Sequence, residues 1–282
     1  MNTKQQRYLI SALVLLLVLT GLFVYRTKIK ALWFEFKKQS LPQAQEFKNF
    51  NTDEVEDETP AVVEKEPTNE PANNNDNQNT NTKPSQPEPT NPSASAINLK
   101  VPFTSQAPFS DWSMPFKEAC EEASLLMVDY FYRGKTFTQQ IAKDEILKMV
   151  AWLDEHYDGR VDLTAAETAA VAKDYLGYKK VEVIDNPTIE QIKAHLNQQR
   201  PVIVPAAGRD LGNPNFTAPG PIYHMLVIKG YTATKFITND PGTRNGADYV
   251  YTYQTLMDSI HDWNYGAEIR QGAKRVIVVY PN

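Results

Sequence analysis

The chain has 282 residues, a net charge of −5 at neutral pH and a single cysteine. That length accommodates one large domain or two small ones. A lone thiol excludes an internal disulfide framework and any multi-cysteine metal site, and no basic stripe with interleaved aromatics marks a nucleic-acid surface. Three unlike blocks follow one another. Residues 1–50 sum to +6 (eight Lys/Arg, two Asp/Glu), residues 51–98 to −8 (two Lys, ten Asp/Glu), and 99–282 to the remaining −3.

After a short tail, 1–7, the stretch Tyr8 to Tyr25 runs 18 residues without a charge. As a helix it would be about 27 Å long, close to a hydrocarbon core of about 30 Å. Lys4 and Arg7 precede it, and it leaves through Tyr25-Arg26-Thr27-Lys28, a poor cleavage site. It therefore reads as an uncleaved signal anchor, with the membrane as a partner and the rest of the chain outside the cell. In the juxtamembrane segment, 26–50, the run Ala31 to Lys38 sets aromatics beside cations, as interfacial anchors do. Residues 51–98 hold seven Pro, ten Asn, no Gly and no aromatic residue. Such a composition cannot offset the entropy of ordering, so it predicts a disordered linker, acting as a stalk.

Residues 99–282 have the size of one domain. Leu99 to Phe103 reads as an extended lead-in. Cys120–Tyr132 predicts a helix with Ala123, Leu126, Met127 and Tyr130 on one face. Further helices are predicted over 137–147, 164–175 and 188–199, the last stopping before Pro201. Strands are expected over 202–205, 225–230, 235–238, 249–253 and 275–280. The Gly/Pro/Asn-rich stretch 208–221 should be a mobile or lid-like loop, and a place to look for substrate selection. Trp112, Trp152 and Trp263 are expected to be packing residues. Helices first and strands later is an α+β arrangement, a helical lobe against an antiparallel sheet.

Cys120 opens the first of these helices, where the dipole favours a thiolate. Glu118, Glu121 and Glu122 oppose that effect, so a histidine partner would matter more than the dipole. The plainer reading of Cys120 is a small buried hydrophobe. Of four histidines, 156, 195 and 261 lie in charged, surface-like surroundings, whereas His224 heads the apolar run to Tyr231. It could equally be a satisfied core residue. Asp240, after the next strand, could accept from that imidazole and fix its tautomer. It could also be an ordinary turn former before Pro241-Gly242, and Asn239 could serve in its place. Gln106 precedes Cys120 by 14 residues, where a side-chain amide and the Cys120 N–H could form an oxyanion hole.

Taken in order, Gln106, Cys120, His224 and Asp240 resemble the set used by papain-fold cysteine peptidases. The segments Val101–Gln106, Cys120–Met127, Tyr223–Tyr231 and Asn239–Thr243 are similar to motifs of the bacteriocin-processing, double-glycine leader peptidase-like family. The resemblance covers essentially all of 99–282. It implies a papain-like fold needing no cofactor or metal, with Gln106 as oxyanion residue, Cys120 as nucleophile, His224 as general base and Asp240 as its orienter. Two features depart from the family. Glu121 stands where Gly is common, and no Walker motif occurs in the sequence, so a stand-alone domain without a transporter ATPase is expected and double-glycine leader cleavage is not assumed. The leading expectation is hydrolysis of peptide or protein substrates. The alternatives are amide or acyl-transfer chemistry on cell-wall peptides, for which no wall-binding repeat is present, and a tethered binding module without turnover.

Overall fold

The structure is a computed structural model that describes residue 5 and residues 40–48, 96–266 and 268–282. The expected membrane span, 8–25, and the linker up to Ser95 lie outside the described residues. Among the described residues no helix is long and apolar enough to cross a membrane. All of the described residues except Lys48 belong to one compact unit.

That unit is a mixed helix and antiparallel sheet fold. Its strands are β1 (Ile97–Asn98), β2 (Val181–Asp185), β3 (Val202–Ala207), β4 (Tyr223–Tyr231), β5 (Lys235–Asn239), β6 (Tyr249–Thr252) and β7 (Arg275–Val279). They lie in the order β2-β7-β3-β4-β5-β6, and β1 pairs with the far end of β4. β3 and β4 are buried at every position. Strands covered on both faces read as continuous apolar runs rather than alternating ones, hence Val-Ile-Val and Met-Leu-Val-Ile. Where β1 meets β4, a Cβ on Gly230 would stand 2.3 Å from the Ile97 carbonyl oxygen. Only glycine permits that approach.

Five helices are described: α1 (Cys120–Tyr132), α2 (Gln139–His156), α3 (Ala165–Asp174), α4 (Ile189–Asn197) and α5 (Tyr253–Ser259). α1 packs on β4, with α2 behind it, while α3 covers β2 and β7. The expected one-sided α1 is instead central, and every residue but Tyr132 is buried, including Glu121, Glu122, Ser124 and Asp129. Threonines cap the starts of α2, α3, α4 and α5, at Thr138, Thr164, Thr188 and Thr252. α1 alone starts without a side-chain cap, from Ala119. The N–H groups at the mouth of the Cys120 helix are therefore left to other acceptors.

β2 and α5 were not expected from the sequence, and the helix predicted over 137–147 runs on to His156. A larger difference concerns the segment before the linker. Gln45 pairs in parallel with Leu99, its N–H donating to the Asn98 carbonyl at 2.8 Å and its carbonyl accepting from the Lys100 N–H at 2.7 Å. Phe47 meets Phe131 and Tyr132 edge-on at 5.4 and 5.1 Å. The unit thus takes in 40–47 and begins again at 96, ahead of the expected 99. Residues 45 and 99, on either side of the expected linker in sequence, thus lie side by side in one unit.

With Gln45 and Leu99 paired, the composition of the residues between them predicts closure entropy as their main effect on stability. Halving the 51–93 stretch is expected to stabilise the unit slightly, by about 0.6 kcal/mol. Phe47→Ala should cost about 1–2 kcal/mol for its two aromatic contacts. Urea unfolding of each variant checks both, and a marked loss on shortening would mean that the stretch packs on the domain.

Candidate active site

Asp240 directly follows β5, at the entry to the turn, and is fully buried. Its Oδ1 accepts from His224 Nε2 at 2.8 Å and from the Gly242 N–H at 3.0 Å. Its Oδ2 accepts from the Tyr251 hydroxyl at 2.6 Å and from Asn213 Nδ2 at 3.0 Å. Burial opposes its charge, but His224, Tyr251 and Asn213 outweigh that and hold the carboxyl below its ordinary pKa. A carboxylate only accepts, so Nε2 carries the ring proton and Nδ1 is the basic nitrogen. Pairing of β4 with β5, Val227 opposite Asn239, sets Asp240 at the His224 end of the strand. Asn239 turns the other way and donates to the Val101 carbonyl at 3.0 Å. Of the two orienters left open by the sequence, only Asp240 reaches the ring.

Two neighbours close on the imidazole. Phe216 meets it edge-on at 5.3 Å, and a Cβ on Gly242 would lie 2.8 Å from its Cε1. The 208–221 stretch, expected to be mobile or lid-like, is pinned through Asn213 to Asp240 and to Tyr251, at 2.9 Å from the latter.

Cys120 is 5% exposed and lines the same cleft as His224. Its S–H donates to Glu121 Oε2 at 3.0 Å. Among the described residues no hydrogen bond joins the thiol to His224. Glu121 is buried, and its Oε1 accepts from the Leu163 N–H at 3.1 Å. Burial pushes the thiol pKa well up, and the Glu121 carboxylate adds to that. Burial and the adjacent Glu122 likewise raise Glu121 well above an ordinary carboxylate. Glu122 is pushed by burial to about 7, and Asp162 to about 6 by burial and the nearby Glu118. Burial and the neighbouring carboxyl groups thus both favour the neutral thiol.

Gln106 stands where the sequence puts it, in the same cleft, but its amide is already engaged. Nε2 donates to the Phe116 and Lys117 carbonyls at 3.0 and 2.8 Å. These carbonyls lie one turn before Cys120, so both donors hold the turn that starts α1. In this arrangement both Nε2 hydrogens brace the turn that opens α1 rather than standing free in the cleft. The Gln106 N–H and the Ser105 hydroxyl both donate to the Pro241 carbonyl, at 3.0 and 3.1 Å, tying this segment to the Asp240 turn.

The cleft has a volume of about 940 Å³. Trp112, Val161 and Ile222 line its rim and are exposed. Trp112, expected to be a packing residue, instead faces this opening. Trp263 also lines the cleft while tilting against Tyr223 at 5.4 Å. Among the described residues no cluster of His, Cys, Asp and Glu could hold a metal ion.

Residues 98–269, which contain all four of these residues, match the Peptidase_C39 like family. The chain belongs to that family. Its described unit is thus a C39-like peptidase domain. Among solved structures it is similar to a Bacillus anthracis protein described as a C39-like peptidase, at 16% identity and a TM-score of 0.45, over 67% of this chain and 98% of that one. No curated protein matches. Sequence reasoning had no signal for Asn213 and Tyr251 as carriers of Asp240, since they lie 27 and 11 residues away.

The buried carboxyls set a pH dependence of stability for this C39-like domain. Glu122 has a folded pKa of about 7 against about 4.3 unfolded. Its stabilising proton is fully present below the unfolded value and is lost as pH rises through the folded one. Unfolding free energy should therefore fall between about pH 4.5 and 7, and Glu122→Gln should shrink that fall. Urea midpoints at pH 5 and pH 7.5 for both proteins check this expectation.

Proposed function

We propose that the protein is a membrane-anchored cysteine peptidase that hydrolyses peptide bonds, with Cys120 as nucleophile, His224 as general base and Asp240 as the residue that orients the ring. The observation that carries this reading is the buried His224–Asp240 pair at 2.8 Å, in one cleft with the thiol at an uncapped helix start. Such a pair has a single tautomer, and its free Nδ1 can take the thiol proton. Thiolate attack on the peptide carbonyl gives an oxyanion. The Cys120 N–H, first in its helix, is available to it. The amine leaves with a proton from His224, and water then hydrolyses the thioester with His224 as base.

The cleft supports an extended peptide as substrate, since its exposed rim of Trp112, Val161 and Ile222 suits apolar side chains. The stretch 8–25 would hold the enzyme at the membrane, with the catalytic unit on the outer side. With 40–47 docked on the domain, only residues 26–39 would separate membrane and enzyme. A bacteriocin-type leader remains one candidate substrate among exported peptides.

The thiol's bond to Glu121 favours one second reading, a tethered binding module without turnover. The two separate cleanly. A peptidase is expected to hydrolyse unstructured peptides and to be labelled at Cys120 by a thiol-directed electrophile, with both lost in Cys120→Ala. Hydrolysis that survives in Cys120→Ala would contradict the mechanism, and binding without hydrolysis in the native protein would favour the module.

A further inference from the structure

We propose that Glu121 is the positioning residue of the thiol, accepting the Cys120 proton in the resting protein and, once protonated itself, donating back to the thiolate that attacks. The inference rests on Cys120 as nucleophile.

Glu121 follows Cys120 at the helix start, yet its side chain turns inward and is 1% exposed. One carboxylate oxygen stands 3.0 Å from Sγ, and the other takes the Leu163 N–H at 3.1 Å. The Leu163 carbonyl in turn accepts from the Tyr223 hydroxyl at 2.8 Å, one residue before His224. The carboxylate is thus fixed from the backbone of one loop and aimed at sulfur, beside the strand that carries the base. The groups around it are Glu122 on the same helix, Asp162 next to Leu163 and Tyr223 on β4, with Asp262 on the far side of Tyr223. Asp262 is paired with Arg275. Among the described residues no Lys or Arg is bonded to Glu121.

Two arrangements of the pair differ by one proton moving along one hydrogen bond: S–H to carboxylate, or thiolate to carboxylic acid. With Glu121 anionic, passing the thiol proton to His224 Nδ1 leaves a thiolate 3.0 Å from a carboxylate, and like charges at that distance oppose it. With Glu121 protonated, the same transfer leaves the thiolate facing an O–H donor. The thiolate–imidazolium pair therefore forms in a state holding one more proton on Glu121. Burial, reinforced by Glu122, raises the proton affinity of Glu121 in the direction this requires.

The test is the rate of Cys120 alkylation by iodoacetamide against pH, in the full chain and in Glu121→Gln. Glutamine keeps the shape, can accept from the Leu163 N–H and donates to sulfur without a charge. The variant is expected to alkylate about tenfold or more faster at pH 8, since one unit of thiol pKa is tenfold in thiolate. The native protein should show an added limb, its rate rising as pH falls through the Glu121 titration before dropping again. Superimposable profiles, or a slower variant, would overturn the proposal. Should the variant not fold, the native profile decides alone, and a single monotonic rise with pH overturns it. Alkylation does not read turnover, so a protein that alkylates as expected but cleaves nothing loses the peptidase reading and keeps this one.

Discussion

A carboxylate with no exposure to water must stay charged for this site to exist. Asp240 achieves it with four donors from four places in the chain: His224, Gly242, Tyr251 and Asn213. An isolated buried charge would neutralise itself instead. The cost of removing it from water is offset only when all the donors arrive together, so the β4–β5 pairing, β6 and the 208–221 loop are coupled through one group. The same requirement explains Gly242, because the backbone must pass close enough to donate without a Cβ striking the ring.

The other half of the site obeys the opposite rule. Around Cys120, Glu121 and Glu122 are buried with no cation bonded to them among the described residues, and their proton affinities rise. The Asp240 side of the cleft stabilises a charge, while burial on the Glu121 side favours protonation of its carboxyls. The Cys120 thiol between them has its pKa raised by burial and by Glu121. The uncapped start of α1 and the Gln106 brace both act on this same residue, one leaving N–H groups open and the other fixing the preceding turn.

Much of this was legible in the residues. α1 has the bounds read from its apolar run, because no Gly or Pro interrupts 120–132 and the chain turns at Gly134. The capping threonines 164 and 188 mark helix starts for the same local reason. What was illegible depends on distant contacts. β2 is a short edge strand whose pairing with β7 spans about ninety residues, as in Asp185 opposite Arg275. The docking of Phe47 on α1, across the acidic stretch, has no local signature. Nor did the sequence separate Asn239 from Asp240, since adjacent residues point oppositely on a strand and only the register decides. Gln106 shows the limit of a motif: residue and place are as expected, and its donors point elsewhere.

The account turns on whether the thiol leaves Glu121 for His224 when it reacts. The most direct measurement is a crystal structure of the protein with a peptide aldehyde bound covalently at Cys120. The expected result is a hemithioacetal carbon on Sγ, His224 Nδ1 within hydrogen-bond reach of the adduct, and Nε2 still bonded to Asp240. An adduct that forms with the imidazole out of reach, or a Cys120 that stays bonded to Glu121 and unmodified beside excess aldehyde, would contradict it.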